Sequence, residues 1–160
     1  MKHPNVFVAG MPKTGTTSLV SYLSQHPEVF VPEEKEPRHF CTDLIAESNR
    51  FHDDKSKYFR FRDDEAYREL YDDVEADHAV DGTVEYSFSA EAAENIKAFN
   101  DDARIIFGFR HPLSFLTSYH AEQRLWSHET EASFSEALRM EEQRRDGVNI
   151  PANAPYPSIL

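Results

Sequence analysis

The sequence predicts an α/β protein with three layers, a central parallel sheet flanked by helices. Three observations carry that prediction. Strand signals at residues 6–9, 29–31, 79–84 and 104–109 are separated by helical patterns. The 160 residues, 39% hydrophobic and 12% aromatic, suffice for one packed domain. A glycine-bearing turn joins the first strand directly to the first helix. Strands that alternate with helices become parallel neighbours through right-handed crossovers.

Residues 6–9, VFVA, are small or apolar and read as a buried strand. The helix predicted over 16–25 places Leu19, Val20 and Leu23 on one face and ends at His26-Pro27. After the short strand at 29–31, an aspartate cap opens a helix over 64–71 that groups Tyr67, Leu70 and Tyr71. The third strand covers 79–84. Ser89 then reads as the N-cap of a helix over 91–99, with Ala92, Ile96 and Phe99 at helical spacing. Residues 104–109 are the most strand-like run. Pro112 begins a helix to about 126, and Ser133 with Glu136 forms a capping-box pattern before a helix over 134–145. The closing GVNIPANAPYPSIL is loop-like.

The net charge of −12 argues against a general binder of nucleic acid or anionic membrane. It also requires any anionic ligand to be held by a few focused cations. The single cysteine, Cys41, excludes an intrachain disulfide and a Cys-rich metal site. No apolar run approaches the ~20 residues of a membrane helix, and the expected location is the cytoplasm. His52, His78, His120 and His128 share no metal-ligand spacing. Tyr119 and Trp126 read as helix packing, and the acidic run over 129–142 as a solvated face.

The turn after the first strand carries the chemistry. Gly10, Pro12, Lys13 and Gly15 are mixed with the hydroxyls of Thr14, Thr16, Thr17 and Ser18. A strand that turns through glycine into a helix start presents backbone N–H groups and a positive dipole end, which suits phosphate or sulfate. The ordinary nucleotide loop reads G-x-x-x-x-G-K-[ST]. Gly10 and Gly15 match its glycines, but Thr16 stands where its lysine belongs, and Lys13 lies before the second glycine. The loop is P-loop-like without being an ATP or GTP loop. Strand four runs into Arg110, where a kinase or ATPase often has an aspartate for Mg²⁺. Arginine binds an anion and no metal. Ser118, eight residues on, offers a hydroxyl to the same oxyanion. Ligands of parallel sheets bind at the carboxyl ends of the strands, so both anion sites fall on one rim. Such a pair describes a ligand phosphorylated at two ends, for example adenosine 3′,5′-bisphosphate.

PKTGTTSL together with R-x7-S resembles the sulfotransferases that use 3′-phosphoadenosine 5′-phosphosulfate (PAPS), above all their carbohydrate-modifying and bacterial branches. The resemblance implies that Pro12, Lys13, Thr14, Gly15, Thr16, Thr17 and Ser18 hold the 5′-phosphosulfate. It assigns the 3′-phosphate to Arg110 and Ser118, with no metal. Lys13 and the loop N–H groups would stabilise charge that develops during transfer. PEEKEPRHF resembles the K-E-P-x-F-F-like segment whose glutamate is the general base, which implies that role for Glu36, with His39 as the second candidate. DGTVEYSFS resembles the E-K-[ST]-P-S-Y stretch, and the match implies that Glu85, Ser87 and Ser89 line the acceptor cleft. Tyr86 replaces a frequent lysine there and Phe115 a frequent arginine after Arg110, which disfavours a highly sulfated glycan. Family members continue into a Gly- and Lys/Arg-rich loop that closes over the nucleotide. Residues 1–160 are accordingly expected to form a single domain, truncated at its C-terminal side relative to the family.

The expected activity is in-line, metal-independent transfer of a sulfuryl group from PAPS to a hydroxyl or amine of a carbohydrate or other small acceptor. No nucleic acid or membrane insertion is expected, and the oligomeric state is open. Two alternatives are a P-loop nucleotide kinase and a non-catalytic bisphosphate-binding module.

Overall fold

The computed structural model describes residues 3–52 and 58–155. Its strands are β1 (Val6–Gly10), β2 (Val29–Phe30), β3 (His78–Asp81) and β4 (Arg104–Gly108). Its helices are α1 (Thr16–Leu23), α2 (Thr42–His52), α3 (Asp64–Glu69), α4 (Ala92–Phe99), α5 (Pro112–Leu125) and α6 (Phe134–Arg145), with a 3₁₀ turn at Val84–Ser87. The strands form one parallel sheet in the order β2-β3-β1-β4. Five residue pairs from Val6↔Arg104 to Gly10↔Gly108 join β1 to β4, and Val6↔Val80 and Phe7↔Asp81 join it to β3. A central four-stranded parallel sheet flanked by helices is therefore the fold class, as the alternation of elements predicts.

The chain divides into two compact units, Met1–Ile45 with Phe59–Phe109 and Ala46–Tyr58 with Arg110–Leu160. The first holds the sheet. Its core centres on Phe40, whose ring lies 5.9 Å from Phe7, 5.2 Å from Tyr67 and 5.0 Å from Phe99, at edge-on angles that favour aromatic pairs. Asp63 caps α3 by accepting from the N–H groups of Glu65 and Ala66 at 2.9 and 3.1 Å. Ser89 Oγ accepts from the N–H groups of Glu91 and Ala92, which secures the start of α4.

The third strand is shorter than residues 79–84. It stops at Asp81, whose carboxylate is fully buried. Gly82 follows, pressed against Val20, where an added Cβ would lie 2.9 Å from Cγ2. The chain then tightens into the 3₁₀ turn. β4 has the predicted sequence character and an unexpected environment: Ile105, Ile106 and Phe107 are 50%, 39% and 41% exposed.

The second unit contains α5, α6 and most of α2. Helix α2 has no counterpart in the sequence reading, because Ser48 occupies the buried stripe one turn after Leu44 and breaks the apolar period. Tyr119 packs as expected, stacked 5.4 Å from Phe115, but Trp126 ends α5 with most of its surface exposed. The acidic run is also not uniformly solvated. Glu129 and Glu141 are buried around Arg144, which donates to the two Glu129 oxygens at 2.6 and 2.8 Å and to Glu141 at 3.2 Å. A buried guanidinium needs such bidentate partners.

Candidate functional site

Two close backbone approaches build the loop after β1. Gly10 has φ 133°, and a Cβ on it would fall 2.5 Å from the backbone of Gly108 in β4. A Cβ on Gly108 would in turn fall 2.7 Å from Thr14 Oγ1. The paired glycines thus let the strands close and seat the loop on them. Met11 N–H donates to the Gly108 carbonyl at 3.0 Å, and Thr14 Oγ1 donates to the Met11 carbonyl at 2.6 Å. Thr14 therefore shapes the loop from inside.

Lys13 adopts φ 63° and Gly15 φ 87°, so two left-handed residues within three turn the chain sharply into α1. Lys13 stands exposed on that bend. Gly15 is the N-cap, no side chain caps α1, and no acidic residue sits in its first turn. The positive end of the helix dipole is consequently available for an anion. A Cβ at Gly15 would meet nothing within 4 Å, so there is open space in front of the turn. One cation, exposed hydroxyls and an uncapped helix start fit a phosphosulfate group.

Thr16 and Thr17 continue from this turn into a cleft of about 260 Å³. Val20 and Ser21 of α1 form one wall, residues 31–36 another, and Val80 and Gly82 the floor. The structure therefore brings Thr16, Thr17 and Glu36 to the same cavity, whereas Lys13, Thr14 and Ser18 do not border it. Glu36 and Arg38 flank Pro37, and both hold left-handed backbone, φ 53° and 58°. Arg38 forms an ion pair with Glu36 and donates through Nε to Glu85 Oε1 at 2.8 Å.

The other residues implied for the acceptor side have different surroundings. Glu85 is 2% exposed and anchors Arg38 beneath the segment. Ser87 Oγ lies within donating distance of the carbonyls of Gly10 and Val84, at 3.0 and 2.8 Å. Ser89 caps α4 and donates to Asp43. None of the three borders this cleft. His39 is also buried, stacked 4.2 Å from Tyr67, with Nδ1 2.9 Å from the Phe61 carbonyl and Nε2 3.2 Å from Asp64. Both of its ring nitrogens are engaged, and unlike Glu36 it does not border the cleft.

Arg110 and Ser118 belong to the second unit. Arg110 is exposed two residues before α5 opens at Pro112. Ser118 Oγ donates to the Ser114 carbonyl one turn back, at 2.7 Å.

Beneath the cleft floor lies Asp81, a residue that falls without distinction inside the strand expected over 79–84. Asp81 accepts from Tyr67 Oη at 2.8 Å, Tyr86 Oη at 2.6 Å and Thr83 Oγ1 at 2.7 Å. Burial pushes its carboxyl above the usual range, and the hydrogen bonds from Tyr86, Thr83 and Tyr67 oppose that rise. Tyr67 and Tyr86 are themselves raised, first by burial and then by the Asp81 charge. Burial likewise pushes the Cys41 thiol up, which makes it a poor nucleophile. The one available sequence signal was a carboxylate ending an apolar strand, a position that demands partners.

Among the described residues, no group of three His, Cys, Asp or Glu side chains is arranged to hold a metal ion. No described helix is long and apolar enough to cross a membrane.

The pattern of a family described as the sulfotransferase family matches residues 4–152. Among solved structures, the chain is similar to a crystal structure of a sulfotransferase from Alicyclobacillus acidocaldarius, with 31% identity and a TM-score of 0.81. The match covers 97% of this chain and 63% of that one, so the chain spans less than two thirds of its relative's length. Comparison with curated proteins gave no match.

Proposed function

The chain belongs to the sulfotransferase family, and from that premise we propose that it transfers a sulfuryl group from PAPS to a hydroxyl or amine of a small acceptor, such as a carbohydrate, without a metal. One observation carries the reading. A single cleft is bordered by Thr16 and Thr17 at the uncapped start of α1 and by the carboxylate-bearing segment that ends at Glu36.

When bound, PAPS supplies a sulfuryl group on a phosphosulfate anhydride and departs as adenosine 3′,5′-bisphosphate. The loop residues hold the anionic end. The N–H groups that open α1 and the hydroxyls of Thr16, Thr17 and Ser18 surround its oxygens, while Thr14 keeps the turn rigid. Lys13 would bring its ammonium to the negative charge that grows on the departing oxygen, a stabilisation that needs no metal. Glu36 takes the proton from the acceptor as its oxygen or nitrogen bonds to sulfur. The nucleotide oxygen would leave with the electron pair of its bond to sulfur. Arg110 and Ser118 serve the 3′-phosphate, a role that rests on the family resemblance. Glu36 is preferred to His39 because it borders the cleft and His39 does not. The lone, buried Cys41 suits a reducing compartment, and we place the protein in the cytoplasm.

Calorimetric titration with adenosine 3′,5′-bisphosphate and with ATP, each with and without Mg²⁺, tests the reading. Metal-independent binding of the bisphosphate is expected, weakened about 10–100-fold in Lys13→Ala and Arg110→Ala, the equivalent of roughly 1.5–3 kcal/mol for a charged hydrogen bond. Mg²⁺-dependent preference for ATP would favour a kinase instead. Sulfate transfer is expected to fall about 100-fold or more in Glu36→Gln, to a residual rate that can still be measured, while bisphosphate binding persists. An inactive wild type that binds the bisphosphate would indicate a binding module.

A further inference from the structure

Glu36 is held from behind by a residue that the transfer itself does not use. Glu36 and Arg38 adopt left-handed backbone on either side of Pro37, a conformation that persists in non-glycine residues only when the surroundings enforce it. The enforcement converges on Arg38. Its backbone N–H donates to Thr83 Oγ1 at 3.2 Å, its Nε to Glu85 Oε1 at 2.8 Å, and one terminal nitrogen to the Glu36 carbonyl at 2.8 Å. The other terminal nitrogen pairs with Glu36 Oε2. Behind it, Glu85 is buried, and Thr83 donates to the fully buried Asp81. Glu36 thus forms the cleft end of a hydrogen-bonded series rooted in the core.

We propose that Arg38 is the positioning residue for Glu36: its guanidinium forks between the buried carboxylate of Glu85 and the cleft-side carboxylate of Glu36, and so fixes the direction in which Glu36 faces the acceptor. The proposal rests on the reading of Glu36 as the base. A planar guanidinium with a rigid set of donors grips two carboxylates at once, which a lysine ammonium on a flexible stem does less well. The charged neighbours on the same segment are Glu33, Glu34 and Lys35, and Glu34 is itself paired with Arg60. Arg38 is thus a cation that the structure directs onto Glu36.

Steady-state kinetics of Arg38→Gln, Arg38→Lys, Glu36→Gln and the Arg38→Gln/Glu36→Gln double variant test this, with calorimetric titration of adenosine 3′,5′-bisphosphate and a thermal melt of each. The expected kcat of Arg38→Gln is about 10–100-fold lower, the usual effect of losing a group that orients a reacting one. The bisphosphate Kd and acceptor KM should stay within about two-fold, the signature of a loss confined to the transition state. Arg38→Lys should recover part of the loss, and the double variant should be no slower than Glu36→Gln alone. If Arg38→Gln does not fold, which its melt would show, Arg38→Lys decides the matter by the same kcat criterion. An undiminished kcat in the folded Arg38 variant overturns the proposal, as does a further multiplicative loss when it is added to Glu36→Gln. Undiminished activity in Glu36→Gln alone removes the base reading itself, and the positioning role with it.

Discussion

Lys13 and Glu36 carry left-handed backbone although neither is glycine. Such conformations cost an ordinary residue about 1–2 kcal/mol, and they gather where function requires an awkward direction. At Lys13 the side chain is exposed, so Lys13→Gly removes the strain without opening a cavity. The unfolded-state freedom of glycine costs only roughly 0.5–1 kcal/mol, less than the strain relieved, so the melting temperature of Lys13→Gly should be equal to or above that of wild type. Bisphosphate affinity should nevertheless fall. A clear loss of stability in calorimetry would show that the strain reading is wrong. Asp81 supplies a pH test. Its folded carboxyl titrates above the ordinary 3.8 because it is buried, so between the two values the folded protein holds more protons than the unfolded chain. Its contribution to stability is complete below 3.8 and is lost as pH rises through the raised value. Asp81→Asn should remove that slope in urea melts across pH 4–8, at a cost of about 1–3 kcal/mol for the imperfectly matched hydroxyl donors. Identical slopes in both proteins would refute it. The loop motif was legible because glycine, lysine and hydroxyls have few reasons to crowd one turn. Arg38 and Asp81 were not legible, since their partners lie as far as 47 residues away along the chain.

At the scale of elements, the sheet and most helices follow from periodicity. Residues 134–145 match α6 at both ends because Ser133 accepts from Glu136 N–H and fixes the start. β3 was over-extended because apolar Val84 resembles a strand residue, and nothing local reveals that Gly82 must pass Val20. The paired glycines make a stricter prediction. Gly108→Ala should push Thr14 off the Met11 carbonyl, because the new methyl would fall 2.7 Å from its hydroxyl. Overpacking of this kind costs about 1–3 kcal/mol, and the loop should lose bisphosphate affinity in the same variant. Unchanged affinity in calorimetry would mean that the close seating of Thr14 on Gly108 does not shape the anion loop.

Over the whole molecule, family membership fixes the fold, while the chain matches 63% of the bacterial relative's length. Composition foretold the charge of −12, but not where apolar surface would remain uncovered. Like charge keeps copies apart, and salt shortens the reach of that repulsion from about 30 Å at 0.01 M to about 8 Å at 0.15 M. Light scattering at neutral pH should therefore report growing self-association as salt is added. Ile106→Lys should suppress it, whereas equal scattering from both proteins would locate the cause elsewhere.

Among the described residues, β4 stands at one end of the strand order, with Ile105, Ile106 and Phe107 about half exposed and Phe109 more so just beyond. A strand at the end of a sheet with half-exposed apolar side chains is adhesive. In dilute buffer the surplus of carboxylates acts as a colloidal shield, and once that shield is screened the same strand becomes a seed for precipitation.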